Sequence, residues 1–259
     1  MPYTLAHPGF VLPLKKIKPE WFSTSGLVFG SIAPDFDIIL RFTNPRMHIF
    51  QYTISEILFF ILPIAVCSSV YFNLIIKPIL LQYAPPSLKN SLSKYYALTV
   101  FKNTTNTWLK LITSSLLAII IHLFLDLFSH YDAGIFKINA MYLYQSLIAG
   151  EITYYATLYL PGVFLSAIGF YLIIQALKEN NIPIPTLNEI YENENTKQFV
   201  FVFIIVTIIF TFIKVFITGI ENKFPIDSIV IHLTNGILIS FFVTPTIFFI
   251  QQRIKTSNA

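Results

Sequence analysis

The sequence predicts an all-α, polytopic membrane protein with about five transmembrane helices and a short N-terminal segment that is re-entrant or interfacial. Three observations predict it. The 259 residues are 55% hydrophobic and only 12% charged, about half the charged share of a soluble domain. The mean hydropathy is +0.68. Five apolar runs, at about 54–76, 109–129, 157–177, 198–220 and 226–250, reach the roughly 20 residues a helix needs to cross the hydrocarbon layer. The chain then reads as one membrane-embedded domain over 1–259. It has a site segment at 1–53, two spans over 54–129 and three more over 130–259.

The elements follow in order. "SGLVFGSIA" (25–33) is apolar but too short to span. Gly26 and Gly30 lie four apart, which permits close helix contact, and Pro34 stops the helix. The predicted element is a short helix dipping into or lying against the bundle, followed by the turn "PDFD". Pro63 is expected to kink the first span, whereas Pro161 and Pro245 are expected near helix ends, where proline is tolerated. Residues 78–108 read as a polar, partly aromatic loop. Residues 178–197 are acidic, Asn-rich and broken by prolines, and read as a solvated loop. The tight turn "ENKFP" (221–225) predicts an antiparallel hairpin of the last two helices.

Composition also excludes function classes. The net charge of +4 is small and its basic residues are dispersed, so nucleic acid is not an expected partner. The single Cys67 lies in an apolar run and rules out an intramolecular disulfide or a cysteine zinc site. "MPYTLAHPGFVLPLKK" lacks the basic start and cleavage site of a signal peptide.

Threading five spans divides the chain between two membrane faces. Residues 1–53 and the loops 130–156 and 221–225 fall on side one. Loops 78–108 and 178–197 and the tail fall on side two. His7, Asp35, Asp37, His48, His122, Asp126 and His130 then gather at side one. Lys and Arg divide as seven on side one and nine on side two, counting Lys77 and Lys110 there. The positive-inside rule therefore places side two in the cytoplasm by a narrow margin, with the site facing outward.

"HLFLDLFSH" (122–130) carries the sharpest chemical signal. On a helix, steps of four residues advance about 40° and rise about 6 Å. His122, Asp126 and His130 form one slightly spiralling stripe. Imidazole and carboxylate are ligands that suit zinc, iron or manganese. Such intramembrane groups also serve as satisfied core residues or proton relays, and His130 alone could be an ordinary interfacial histidine. His7 stands before Pro8, where the extended backbone can aim an imidazole or simply end a helix. Asp35 and Asp37 share a turn of a kind that often merely caps a helix. His48 lies near Arg41 and Arg46, which could hold a phosphate or be plain interfacial cations. His232, isolated on an apolar helix, reads as a core histidine.

"MPYTLAHPGFVLPL", "GSIAPDFD", His48 and "HLFLDLFSH" together resemble the bacterial membrane family named domain of unknown function 4184. The likeness covers the N-terminal half well. That family resembles membrane-bound metal-dependent hydrolases and, more distantly, zinc-dependent phospholipase C. The resemblance implies a bacterial inner-membrane protein with His7, Asp35, His48, His122, Asp126 and His130 as metal ligands. It also implies one or two divalent ions, zinc first. No later His-x-x-x-Glu pair completes a three-zinc set.

The leading expectation is therefore metal-activated water attacking a phosphoester or lipid-linked substrate. Asp35 or Asp37 would be ligand or base, and Arg46 and Arg41 would hold an anionic group. The alternatives are a structural metal that staples the N-terminal segment, or a transporter with a His/Asp relay.

Overall fold

The computed structural model describes residues 4–36, 53–89, 104–126, 160–179, 181–182, 187–219 and 225–257. All regular structure among them is helical. We number the helices α1 (His7–Ile17), α2 (Thr24–Ile32), α3 (Ile54–Tyr83), α4 (Thr105–Asp126), α5 (Leu160–Glu179), α6 (Leu187–Glu192), α7 (Glu194–Thr218) and α8 (Pro225–Ser257). Helices α3, α4, α5, α7 and α8 are long and apolar enough to cross a membrane. The protein is thus an integral membrane protein with five candidate spans, as composition predicts.

Side-chain caps set several helix starts. Ser23 Oγ accepts from Gly26 N (3.2 Å) at α2. Thr53 and Glu56 form a reciprocal capping box at α3, and Asn193 Oδ1 accepts from Asn195 N and Thr196 N at α7. Each satisfies N–H groups that have no partner within the helix. Pro34 ends α2, which gives way to a tight 3₁₀ turn, Ala33–Asp35.

Prolines account for the differences from expectation. Proline removes an N–H and its ring crowds the carbonyl four residues back. In α3 a π-helical turn, Ile57–Ile61, ends two residues before Pro63. A second, Phe72–Ile76, ends two residues before Pro78. Each widened turn contains the crowded carbonyl, and such local adjustments re-satisfy freed backbone groups. The helix therefore continues through Pro78 to Tyr83, where a loop was expected to start. Pro245 lies inside α8, twelve residues before its end at Ser257, and not near a helix end. The acidic stretch 178–197 is also more helical than expected, since α6 and the start of α7 occupy it.

The chain forms two compact units. The first is Met1–Leu40, Arg46–Ser69 and Asn103–Ala176. Here α1 and α2 make a helical hairpin laid along α4. Ala6 packs with Leu125, and Val11 with Ala118, so α1 runs antiparallel to α4. Ser23 N donates to Ser114 Oγ (2.9 Å), and Asp35 reaches His122, so α2 runs parallel to α4. The hairpin's open end therefore lies beside His122 and Asp126.

Small residues permit this close approach. A Cβ on Gly26 would sit 2.8 Å from the Leu111 carbonyl, and one on Gly30 2.5 Å from that of Ser115. On the far side of α2, Ala33 packs with Ile57 and Ile61 of α3, and Ser69 Oγ donates to the Ser25 carbonyl (3.1 Å). Against α5, a Cβ on Gly9 would meet the Gly169 carbonyl at 2.0 Å. The hairpin is thus an internal part of this unit, and α2 is buried almost continuously from Gly26. This agrees with the predicted short N-terminal helix packed against the bundle.

The second unit comprises Arg41–Pro45, Val70–Lys102 and Leu177–Ala259. Its described core is the antiparallel pair α7–α8. Thr207 Oγ1 donates to Ser240 Oγ (2.9 Å), while Thr218 lies against His232. Ile79, Phe199 and Phe248 pack together with Tyr83 at one end.

Candidate metal centre

The centre lies where the hairpin's open end meets α4. Spacing of four residues places His122 and Asp126 one above the other on the helix face, with His122 Nε2 2.9 Å from Asp126 Oδ2. The 3₁₀ turn after α2 brings Asp35 Oδ1 to 3.6 Å from the same nitrogen. Helix α1 brings His7 Nε2 to 3.9 Å from Asp126 Oδ1. The rings of His7 and His122 stack, with centroids 3.8 Å apart and planes 17° from parallel. All four residues are buried, with relative exposures of 4% or less.

The hydrogen bonding of His122 fixes its tautomer. Nδ1 lies 2.6 Å from the Ser31 carbonyl. A carbonyl only accepts, so Nδ1 carries a proton. In the neutral ring Nε2 then presents a lone pair to Asp126 and Asp35. A lone pair facing two carboxylates is repulsive unless a cation lies among them. Protonating Nε2 would supply one charge against two. At 2.9 Å from Asp126 Oδ2, a protonated Nε2 would form an ion pair with that carboxylate. The close-stacked imidazoles further disfavour charging both rings, because like charges repel.

A divalent cation would match the two carboxylates with two positive charges, and the buried group could hold one. One ligand atom each from His7, His122 and Asp126 lie within 4.8 Å of one another. Ligand atoms on a tetrahedral zinc with bonds of about 2.0–2.2 Å lie roughly 3.3–3.6 Å apart. The three side chains would therefore draw together by up to about 1 Å to hold one ion. Two imidazoles and a carboxylate are also a ligand set found at catalytic zinc, which keeps a fourth position open. The Ser31 carbonyl orients one ligand ring, as outer partners do in metal sites.

Of the residues expected from sequence, the structure brings together His7, Asp35, His122 and Asp126. Asp37, Arg41, Arg46, His48 and His130 lie outside the described residues. His232 is fully buried in the second unit. Its Nε2 lies 3.2 Å from both the Thr218 hydroxyl and the Gly219 carbonyl, and 3.4 Å from Ser228 Oγ.

Sequence reasoning missed two contributors. Gly9 and Gly169 allow α1 to approach α5 and so seat His7. Neither carries a chemical signature, and only a small-residue pairing between distant segments could have suggested them. In the second unit, sequence reasoning also passed over Lys214, 1% exposed in α7 and close enough to act electrostatically on His232. An ionisable residue within an apolar span is itself a signal.

No curated protein and no solved structure matches the chain. A family model does match, over residues 1–246, and it spans both the hairpin and the helices that hold the ligands. The chain belongs to the family described as a domain of unknown function, DUF4184.

Proposed function

We propose that the protein is a metal-dependent hydrolase of the membrane, acting on a phosphoester or lipid-linked substrate. The observation that carries this reading is the buried cluster itself, with one ligand atom each of His7, His122 and Asp126 within 4.8 Å of one another and Asp35 Oδ1 3.6 Å from His122 Nε2. A divalent ion, zinc by ligand type, would be held by His7, His122 and Asp126. It supplies Lewis acidity and lowers the pKa of a coordinated water towards neutrality. Asp35, close to the cluster but outside the three-ligand group, takes the water proton as general base. The water oxygen would bond to phosphorus as the ester P–O bond breaks, and the proton taken by Asp35 would pass to the leaving oxygen. Arg46 and Arg41 are the proposed holders of the anionic group. The family resemblance suggests a bacterial inner membrane, and the narrow charge bias of the loops suggests a site that faces outward.

The test is hydrolysis of a phosphoester panel, lipid-linked substrates included, by purified protein in detergent. Asp35→Asn is expected to lower turnover by about 10²–10⁴-fold, the usual contribution of a general base, while retaining the ion. Unchanged turnover in that variant would remove Asp35 from the mechanism.

A second reading is favoured by the depth of burial. A metal joining His7 of α1 to His122 and Asp126 of α4 would staple the hairpin to its unit without chemistry. Tight metal binding with no turnover on the whole panel selects it.

A further inference from the structure

We propose that the turn of the α1–α2 hairpin, Lys15–Trp21, binds anionic phospholipid headgroups at the membrane face opposite the metal centre. This inference does not rest on the metal or on the hydrolase reading.

The turn's position follows from the packing of α1 and α2 on α4. His7 lies beside Asp126, and α1 runs from there towards the start of α4. Lys15 comes close enough to Lys110 for the two ammonium groups to repel. Eight residues of α1 rise about 12 Å, and the twelve from His122 back to Lys110 about 18 Å. Helix α2 begins its return with Ser23 against Ser114 and Gly26 against the Leu111 carbonyl. The turn therefore sits level with the first turns of α4, at the other end of the span from His122.

Its chemistry suits a lipid headgroup region. "KKIKPEW" combines three lysines with one carboxylate. Ile17 and Trp21 are 69% and 63% exposed, and the Lys18 ammonium lies 5.5 Å over the Trp21 ring. An amphipathic ring beside lysines is the composition of an interfacial anchor. Lys15 Nζ holds the turn's shape by donating to the Phe22 carbonyl (2.7 Å) and to that of Pro19. Burial first, and then Lys110, push its pKa down, with Glu20 opposing. A lipid phosphate beside Lys15 and Lys110 relieves that crowding of like charge.

The placement also reverses part of the charge tally. Threading from sequence counted Lys15, Lys16 and Lys18 with the site. Moving those three leaves four Lys and Arg on the metal side against twelve on the other. The positive-inside bias then becomes strong. The turn faces the cytoplasm and its anionic leaflet, and the metal centre faces outward.

Two measurements test this. In a Cys67→Ser background, Glu20→Cys is expected to react with a membrane-impermeant maleimide in inside-out vesicles and not in right-side-out ones. Retention of phosphatidylglycerol against phosphatidylcholine is then measured on protein purified from mixed micelles. It is expected to fall at least about fivefold in the Lys16→Gln/Lys18→Gln variant, since each lysine near a charged surface contributes roughly that factor. The Lys16→Arg/Lys18→Arg variant is expected to keep wild-type retention, which separates lost charge from lost folding. Labelling of Glu20→Cys from the outer side, or equal phosphatidylglycerol retention in the Gln and Arg variants, overturns the proposal.

Discussion

Two histidines of this protein are fully buried in membrane-spanning helices, and their surroundings differ in charge. His122, in the first unit, faces Asp126, Asp35 and a stacked second imidazole. His232, in the second, lies among two hydroxyls and a backbone carbonyl, and the charge near it is cationic, the buried Lys214. Neutral partners satisfy the Nε2 of His232, and its Nδ1 remains without a hydrogen bond among the described residues. That leaves one unpaired acceptor, a modest cost. Around His122 the described charged neighbours are the carboxylates of Asp126 and Asp35, and burial makes any unmatched charge far more costly. Burial alone thus does not separate a ligand from a core histidine, whereas the balance of formal charge around it does.

The largest effect expected from this contrast is metal dependence. A ligand that binds only the folded state stabilises it by about 4 kcal/mol when present at about 1,000 times its Kd. Chelation should therefore lower the thermal unfolding temperature of wild type, and zinc should restore it. In His122→Ala, chelator should have no further effect. In His232→Ala, the chelator-induced shift should match wild type.

Two glycine substitutions sharpen the contrast by disturbing one unit at a time. Gly9→Ala forces a methyl onto the Gly169 carbonyl, and Gly236→Ala forces one onto Thr211 Oγ1 and the Thr207 carbonyl. Each should cost about 1–3 kcal/mol, as overpacking does. Only Gly9→Ala should weaken metal binding, because α1 positions His7. Equilibrium dialysis with zinc, alongside thermal unfolding, checks both halves. The smallest effect is expected for Thr218→Val, which removes the neutral hydroxyl that meets His232 Nε2 and donates to the Lys214 carbonyl. It should lower stability by about 1 kcal/mol and leave metal affinity unchanged.

The five spans were legible because a membrane crossing demands about 20 apolar residues regardless of packing. Their ends were less so. Pro78 reads as a break, but a π turn absorbs it, and nothing local distinguishes the two outcomes. His122 and Asp126 were legible from spacing four on an apolar helix, and Gly26 and Gly30 from the same spacing. The path of α1 was not. It is short, contains Pro8 and Pro13, and ends in lysines that resemble an ordinary loop. Its direction along α4 comes from long-range contacts such as Ala6 with Leu125 and Gly9 with Gly169. No periodicity in residues 1–53 encodes those partners.

The most direct test of the central claim is elemental analysis of purified wild type, His122→Ala, Asp126→Ala and His232→Ala. The account predicts one or two divalent ions per chain in wild type and in His232→Ala. It predicts strong depletion in His122→Ala and Asp126→Ala. A metal-free wild type, or equal metal in all four proteins, would contradict it.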